Sequence, residues 1–357
     1  MAVSRSENGG YEVQCWYKDY LGTRRKKHKR GFRTKAEARR WERDFLLKAE
    51  GSPHMLFKDF VDAYEADVRP GLKLSTWLTK EAIIRMKVLP HFGDMYLDEI
   101  RSTDIIAWRN ALQSPSDLNG GKTYAKSYIR TIENQLSAIL NHAVRHYGLR
   151  ATPFAQAGRT TKEPPVNVDF WTKDEYLRFS DAIMDKPGSF TAFEILYYLG
   201  LRMGEMLALT PGDFDFEAKT LRVSRNYQRL QGKDVITDPK TPKSRRVIAV
   251  PAFLVEEVEE YIALCGVADD ERMFTFSKSF LHHEMRRGCA LSGVKVVRIH
   301  DLRRSHVSLL IDLGFSALAI AERLGHEAID VTFRYADLFP GVQEDMARAL
   351  DALRGGE

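Results

Sequence analysis

The sequence predicts a multidomain, mainly α-helical protein with small β elements. Its 357 residues exceed what a single hydrophobic core usually contains, so two or three domains are expected. Apolar residues recur at helical spacing over much of the chain, and a few short stretches alternate as half-buried strands do. Residues 1–50 carry a net charge of +7 and the remainder −2, which separates a basic module from the rest.

The composition is that of a soluble globular protein, with 44% hydrophobic and 29% charged residues. No apolar run approaches the ~20 residues of a membrane span, and the N-terminus lacks the apolar core of a signal peptide. We therefore expect neither membrane insertion nor secretion. The three cysteines, Cys15, Cys265 and Cys289, match neither a disulfide framework nor a zinc-binding spacing, which favours a reducing, cytoplasmic environment.

Residues 1–52 predict an N-terminal three-stranded sheet followed by a helix. Residues 11–17 alternate with the period of a strand, and the densely basic residues 24–30 have strand-like surroundings. Residues 34–37 form a capping box, which opens a helix that runs to about Ala49.

The basic strand is expected to lay its cations against DNA, together with Trp16 or Tyr17. The charges are interleaved with a strand pattern and do not form a bare tail. The alternatives are a localisation signal and a solvated run of charge. The six cations are Arg24, Arg25, Lys26, Lys27, Lys29 and Arg30.

Residues 55–152 predict a bundle of four or five helices. Ser75 is expected to cap one helix, which Pro90 and Gly93 would end. The clearest amphipathic helix carries apolar residues at helical spacing over residues 129–143 and stops at Gly148.

Two groups of polar residues belong to this last helix. His142 and His146 have an i,i+4 spacing that can bind a metal, but no third ligand is in view, and we expect no metal site. Three cations near the start of the helix are candidates for phosphate contacts, with an ordinary exposed face as the alternative: Lys122, Lys126 and Arg130.

Residues 153–169 are expected to be a linker, because prolines, a glycine and polar residues resist regular structure there. The third domain, residues 170–357, opens on a second capping box and is predicted to be mixed α/β. Strands at residues 220–223 and 246–250 lie between helical stretches. A C-terminal helix at residues 341–354 carries a short apolar stripe, which would cover either its own domain or a neighbouring protomer.

Separated stretches of this domain carry side chains that suit phosphodiester chemistry. Arg202 follows an apolar segment and Gly200, where a backbone can approach a phosphate closely. Glu205 would share a helix face with Arg202 and hold it, unless the two are an ordinary surface ion pair. His300 and Arg303 open one apparent helix. Arginine grips phosphate oxygens through a planar set of donors, and histidine exchanges protons near neutral pH.

Three further positions complete the set. Lys240 lies in a turn-like stretch between strands and could protonate a leaving 5′-oxygen, with Lys243 as its rival. His326 ends a loop-like LGH, and Tyr335 follows nine residues later. A tyrosine oxygen can form a covalent ester with phosphorus. His306 is expected only to pack beside the arginine of its helix.

In this order the motifs resemble those of the tyrosine recombinases, also called phage-type integrases. That family has an Arg in an L-R-x-G-E context, a Lys on a β-hairpin, H-x-x-R, L-G-H, and a nucleophilic Tyr about nine residues beyond. The corresponding stretches here are residues 201–205, 239–241, 300–303 and 324–326, followed by Tyr335. The stretch at residues 239–241 begins with proline where many relatives have threonine, which affects only the expected turn.

The resemblance implies a role for each domain. Residues 1–52 would be an arm-type DNA-binding domain, residues 55–152 a core-binding domain, and residues 170–357 the catalytic domain. The protein would be a site-specific DNA recombinase that works through a covalent 3′-phosphotyrosyl intermediate and integrates or excises a phage or other mobile element. The implied catalytic residues are Arg202, Lys240, His300, Arg303, His326 and the nucleophile Tyr335, with Glu205 as structural support.

No cofactor or metal is implied. The implied partners are double-stranded DNA at attachment sites, three further copies of the chain in a tetramer, and DNA-bending accessory proteins or an excision factor. Two other functions stay open: a catalytically inactive DNA-binding regulator of the same fold, and a type IB topoisomerase. An inactive regulator would not become covalently attached to DNA, whereas a recombinase would. A topoisomerase would relax supercoils without pairing two specific sites.

Overall fold

The computed structural model describes residues 3–6, 9–18, 24–49, 54–114, 123–161, 169–239, 242–325, 348 and 351. The chain forms two compact units, Met1–Pro165 and Val166–Glu357. Helices predominate in both units, and the strands are short. The predicted fold class is confirmed.

The first unit begins with a three-stranded antiparallel sheet and one helix, as predicted. The sheet has the order β1-β2-β3, and its buried residues Val13, Cys15 and Phe32 cluster with Ala38 of the helix. The Oγ1 atom of Thr34 accepts a hydrogen bond from the backbone N–H of Glu37 at 3.1 Å, so the predicted cap is present. The elements are β1 (Val3–Arg5), β2 (Tyr11–Lys18), β3 (Arg24–Phe32) and α1 (Lys35–Ala49).

The rest of the first unit is helical. Its core joins apolar side chains of α2, α5 and α6, and a π-helical turn at Ile84–Val88 links α3 to α4. The predicted cap at Ser75 is wrong: the preceding turn leaves Lys73 extended, so the helix begins at Leu74. The helices are α2 (Phe57–Val68), α3 (Leu74–Ile83), α4 (Leu89–Phe92), α5 (Ser102–Gln113), α6 (Lys126–His146) and α7 (Phe154–Ala157).

The chain after α6 is more regular than the linker prediction expected. Proline is tolerated at the start of a helix, and Pro153 stands at the N-cap of α7. The buried Glu133 carboxylate accepts hydrogen bonds from Arg109 Nε at 2.5 Å and from the backbone N–H of Thr160 at 3.1 Å. Arg109 Nη2 donates to the carbonyl of Gly158 at 2.7 Å. These bonds hold residues 158–160 on the bundle.

The second unit contains two small sheets and seven of the described helices. The sheets have the orders β4-β5-β8 and β6-β7, and both predicted strands are present. The predicted capping box also forms, with Thr172 and Glu175 each accepting from the other's backbone N–H. The helices before the sheets are α8 (Lys173–Asp181), α9 (Pro187–Tyr198) and α10 (Met203–Met206). The strands are β4 (Phe214–Asp215), β5 (Thr220–Val223), β6 (Asn226–Leu230), β7 (Lys233–Thr237) and β8 (Arg246–Ala249). The later helices are α11 (Ala252–Cys265), α12 (Lys278–Ser292), α13 (Leu302–Asp312) and α14 (Ala317–Leu324).

One apolar core runs through this second unit and includes Trp171, Tyr176 and Phe193. Trp171 fastens the start of the unit to α13, since its backbone N–H donates to the Oγ of Ser305 at 2.9 Å. Within the described residues, no helix has the length and apolar character needed to cross a membrane. The three cysteines are unpaired.

Candidate active site

Arg202 stands at the N-cap of the short helix α10. The chain reaches it through Gly200, whose φ of +62° is a conformation that glycine adopts without strain. Glu205, three residues on, accepts a hydrogen bond from the backbone N–H of Arg202 at 3.0 Å and another from its Nη1 at 2.7 Å. The Arg202 side chain is 38% exposed. Glu205 therefore holds Arg202 in place and leaves it open to a ligand.

The same carboxylate binds a second arginine. Arg246 Nη2, at the start of β8, donates to Glu205 Oε2 at 3.0 Å, and both side chains are buried. Burial alone would raise the pKa of Glu205, but the charges of Arg246 and Arg202 outweigh it and bring the pKa below its ordinary value. Glu205 is thus ionised at neutral pH and holds two guanidinium groups, and the three side chains together keep one positive charge.

Arg303, in the first turn of α13, is buried, with 3% of its surface exposed. Its Nη1 donates to the carbonyl of Gly200 at 2.7 Å, and its Nη2 donates to the carbonyl of Leu324 at 2.8 Å. One guanidinium therefore joins α13 to the stretch that precedes Arg202 and to the end of α14.

His300 lies in the tight turn that leads into α13. Partial desolvation of its ring and the positive charges of Arg303, Arg202 and Arg298 lower its pKa. The turn itself is held by Asp301, whose carboxylate accepts from the backbone N–H of Arg298 at 3.1 Å and from its Nε at 2.7 Å. His300 is therefore mainly neutral at neutral pH, and a neutral imidazole can either accept or donate a proton.

Gly325 ends α14 in a left-handed conformation, with φ of +68°. A Cβ atom built on Gly325 would lie 2.6 Å from the carbonyl oxygen of Lys243 and 3.0 Å from Cδ of Arg246. Glycine is therefore needed twice here, for its backbone angle and for the close approach of the segment before β8. The contact brings the segment that follows Lys240 against the residue that precedes His326.

Arg323 fixes the end of α14 from the other side. Its Nη1 donates to the carbonyl of Ala249 at 3.1 Å and its Nη2 to the carbonyl of Tyr198 at 3.4 Å. Its own carbonyl accepts from Arg246 Nε at 3.1 Å. The Nε of Arg323 donates to Nε2 of His306 at 3.3 Å.

His306 is buried, as its expected packing role requires. Burial, reinforced by the charge of Arg323, lowers the pKa of His306 to about 3. The ring is therefore neutral and serves as an acceptor. The Cδ2 atom of His306 also borders Gly200, where an added Cβ would lie 2.6 Å away.

The structure brings together four of the predicted site residues, namely Arg202, Glu205, His300 and Arg303. Lys240, His326, Tyr335 and Lys122 lie outside the described residues, as does most of the predicted C-terminal helix. Sequence reasoning did not assign roles to Arg246 and Arg323. A weak signal existed for Arg246, which follows the lysine motif, but Arg323 bonds to backbone carbonyls that leave no trace in a sequence.

The candidate DNA-binding cations fall into distinct settings. Arg24 and Lys26 lie 5.0 Å and 5.7 Å from the ring of Trp16. Lys27 and Lys29 instead lie over Phe45 and Trp41 of α1, at 5.9 Å and 4.9 Å. Arg30 is exposed, and the side chain of Arg25 is outside the described set. In the bundle, Lys126 is exposed, whereas Arg130 is half-buried and donates to the carbonyl of Thr160 at 3.4 Å.

Three family models match the chain. The Arm DNA-binding domain matches residues 1–49, the N-terminal SAM-like domain of phage integrases matches residues 56–113, and the phage integrase family itself matches residues 170–341. The chain belongs to the phage integrase family of tyrosine recombinases. It is thus a tyrosine site-specific recombinase, as the sequence predicted.

Relatives of this integrase include whole-length matches. The ICEBs1 integrase of Bacillus subtilis (strain 168) is 28% identical over 99% of this chain and 100% of its own length. The integrase of Mycobacterium phage D29 is 26% identical over 76% of this chain and 72% of its own. The chain therefore spans most or all of each of these two integrases.

Solved integrase structures share the fold. The Tn1549 transposon integrase in complex with a circular intermediate DNA has a TM-score of 0.68 at 20% identity, over 84% of this chain and 99% of that one. A lambda integrase dimer bound to a COC′ core site has a TM-score of 0.60 at 21% identity, over 81% of this chain and 97% of that one.

Proposed function

We propose that this recombinase integrates and excises a mobile genetic element by cutting and rejoining DNA through a covalent 3′-phosphotyrosyl bond to Tyr335. The observation that carries the proposal is the pair of hydrogen bonds from the buried Arg303 to the carbonyls of Gly200 and Leu324. They join three motifs that are far apart in the sequence.

The scissile phosphate gathers negative charge in its pentacoordinate transition state. Arg202 and Arg303 bind its non-bridging oxygens through charge-assisted hydrogen bonds, in positions fixed before DNA arrives. Glu205 supports this arrangement, because it bonds to both Arg202 and Arg246 and keeps Arg202 oriented. A charge cluster that needs no rearrangement during the reaction stabilises the transition state most effectively.

Tyr335 is the nucleophile in this scheme. A free tyrosine has a pKa of about 10, so its proton must be accepted as the oxygen attacks phosphorus. His300, kept neutral by its surroundings, and His326 are the candidates to accept that proton or to donate to the phosphate. The new bond joins the tyrosine oxygen to the 3′-phosphate, and the bond to the 5′-oxygen breaks.

Lys240 protonates the departing 5′-oxygen. Lys243 is the alternative, since it is exposed and its backbone lies against Gly325. A 5′-hydroxyl from the partner strand then attacks the phosphotyrosine and restores Tyr335. The energy of the broken bond is kept in the ester, so the scheme consumes no ATP. The cationic cluster supplies the charge stabilisation for which other nucleases use metal ions.

Double-stranded attachment sites are the proposed substrate, and two parts of the first unit bind them. The arm sheet would hold a distal site through its basic face, and the helical bundle would hold the core site through Lys122, Lys126 and Arg130. The solved lambda integrase structures comprise a dimer on a core site and a tetramer on a Holliday junction. We assign this chain the same homotetrameric assembly, with DNA-bending proteins or an excision factor as accessories, and place it with its DNA in the cytoplasm.

A groove on the second unit supports this assembly. It is lined by Leu310, Phe315, Ala319, Ile320 and Arg323, and the neighbouring Leu318 is 62% exposed. Residues 341–354 carry apolar side chains at helical spacing. We assign this segment of a neighbouring protomer to the groove, which would link protomers around a tetramer.

A nicked suicide substrate tests the proposal. Wild-type protein, Tyr335→Phe and the control Tyr227→Phe are mixed with DNA from the attachment region of the element that carries the gene, and the products are run on a denaturing gel. Wild type and Tyr227→Phe should give a retarded covalent band, whereas Tyr335→Phe should bind DNA without it. A covalent band from Tyr335→Phe would show that Tyr335 is not the nucleophile.

The same DNA distinguishes a recombinase from the two alternative functions, an inactive regulator and a topoisomerase. A regulator would bind the site and give no covalent band with any of the three proteins. A topoisomerase would relax supercoiled plasmids that lack the site, and this recombinase should not.

A further inference from the structure

The sheet of the first unit has one face turned away from α1. Val13 and Cys15 are buried on the α1 side, so their neighbours Glu12 and Trp16 lie on the other. Directly opposite residues of an antiparallel pair share a face, and Glu12 lies opposite Arg30. We call this the outward face. Its described residues are Ser4, Glu12, Gln14, Trp16, Arg24, Lys26, His28 and Arg30.

Glu12 is the one carboxylate among the described residues of the outward face. Its Oε2 accepts from Arg30 Nε at 3.0 Å and lies 3.1 Å from Nε2 of His28, while its Oε1 accepts from the hydroxyl of Ser4 at 3.3 Å. The hydrogen bond with His28 contributes most to lowering the pKa of Glu12, so the carboxylate is charged at neutral pH. A surface that served only to attract phosphates would gain nothing from this negative charge.

The bond to Glu12 leaves Arg30 in a defined orientation. The Nε edge of the guanidinium faces the carboxylate, and its two Nη groups have no partner among the described residues. The side chain is 71% exposed. A guanidinium held by its Nε edge presents both Nη groups end-on, which matches the O6 and N7 acceptors of guanine in the major groove.

The other end of the outward face has a different character. Arg24 and Lys26 lie over the ring of Trp16, which is 54% exposed. Neither cation is paired with a carboxylate in the described structure, so both keep their full charge for phosphates. The outward face therefore has a cationic, aromatic end and an end where charge is balanced and geometry is fixed.

We propose that Glu12 is a specificity-determining residue of the arm site: it holds Arg30 in position to read a guanine and cancels the charge that would let Arg30 bind any phosphate. Arg24 and Lys26 supply the affinity that does not depend on sequence. This inference rests on the proposed binding of a distal arm site by the first unit.

The experiment uses full-length protein and a pool of random 20-base-pair duplexes, with the bound fraction sequenced. The arm motif is the enriched motif that disappears in the triple variant Trp16→Ala, Arg24→Ala, Lys26→Ala. Affinities are then measured for one arm duplex and for a scrambled duplex of the same composition. The specificity ratio is the affinity for the first divided by the affinity for the second.

Glu12→Gln should lower the specificity ratio about tenfold, mainly by strengthening binding to the scrambled duplex. Arg30→Ala should erase one guanine preference. Arg30→Lys should erase it too, because an ammonium group keeps the charge without the planar pair of donors. Arg24→Ala should weaken binding to both duplexes equally and reduce the slope of log affinity against log salt by about 1.

Glu42→Gln is the matched control, since it removes a carboxylate from α1, on the opposite side of the sheet. It should leave the specificity ratio unchanged. If adding Arg24→Ala to Glu12→Gln still weakens binding of the scrambled duplex, the sheet is still folded.

Three outcomes would overturn the inference. The first is an equal increase in affinity for both duplexes in Glu12→Gln, and the second is an unchanged specificity ratio in Arg30→Lys. The third is a new base preference in Glu12→Gln that leaves the guanine preference intact. Failure of the proposed arm binding is a different result, in which the triple variant loses no motif at all.

Discussion

The Nη1 atom of Arg303 lies 2.7 Å from the carbonyl oxygen of Gly200, although the two residues are 103 positions apart. The other terminal nitrogen of the same guanidinium reaches the carbonyl of Leu324. Arg303 therefore has a structural role that precedes any contact with DNA. Its charge and its shape can be tested separately.

Arg303→Lys keeps the positive charge but cannot bridge two carbonyl groups. We expect cleavage of the suicide substrate to slow roughly 100-fold, because both Arg202 and the end of α14 lose a fixed neighbour. The rate of covalent band formation is the measurement. Arg245→Lys is the control, since Arg245 is exposed and pairs with Asp238. Equal rates for both variants would mean that charge alone matters at position 303.

Gly325→Ala should damage both stability and activity. The left-handed backbone angle costs about 1 kcal/mol for an alanine, and the clash of its Cβ with the Lys243 carbonyl raises the total to about 3 kcal/mol. Hydrogen exchange of the α14 amides measures the loss, and the suicide substrate measures activity. Gly266→Ala is the matched control, because Gly266 also caps a helix at φ +62° but an added Cβ meets nothing within 4 Å.

Glu205→Gln should uncouple the two arginines that share it. Breaking a buried ion pair leaves Arg246 without a counter-charge, and we expect a loss of about 3 kcal/mol in the free energy of unfolding. Arg202 loses its fixed position, so cleavage should fall while DNA binding by the first unit persists. Glu217→Gln, at an exposed site of the same unit, should change neither the free energy of unfolding nor the rate of cleavage. Unimpaired cleavage by Glu205→Gln would show that Arg202 needs no support.

His306 should make the second unit sensitive to acid. Its pKa in the folded state is about 3, below the ordinary value of 6.5, so the unfolded state binds a proton first as the pH falls. Stability from the neutral ring is complete above pH 6.5 and is lost below it, by about 1.4 kcal/mol per pH unit. His306→Gln keeps an acceptor for Arg323 and should remove this contribution.

Glu257 acts in the opposite sense over the same range. Burial, with the charges of Glu194 and Glu260 added, raises its pKa to about 7, so the folded state gains a proton there and is stabilised as the pH falls. The free energy of unfolding of the wild type should therefore change little with pH. The test is the difference in this free energy between wild type and His306→Gln. Hydrogen exchange of the α13 amides from pH 7.5 to 5 measures it. A difference that stays constant with pH would contradict the pKa of His306.

Local patterns in the sequence were enough to predict most elements. The alternation around Trp16, the capping residues Thr34 and Thr172, and the apolar spacing of α6 each depend on neighbours within a few positions. The predicted cap at Ser75 was wrong for a reason that also lies within a few residues. A cap must lie where the backbone turns extended, and the turn at Arg69–Gly71 places that point at Lys73.

The candidate site was harder to predict in full. Arg202 and Arg303 stand in motifs, so their identity was visible. The role of Arg323 could not be predicted, because its partners are the backbone carbonyls of Ala249 and Tyr198, and every residue has such a carbonyl. The division of the basic strand into two faces likewise depends on the register of β3 against β2, which one strand alone does not reveal.

Arg303 takes its position from one carbonyl 103 residues earlier and another 21 residues later. A growing polypeptide that has emerged only as far as α13 holds the arginine without its second support, and a truncated product never acquires it. On the proposed mechanism, a chain that stops before Leu324 lacks both the second support of Arg303 and the nucleophile Tyr335, so it should not cleave DNA.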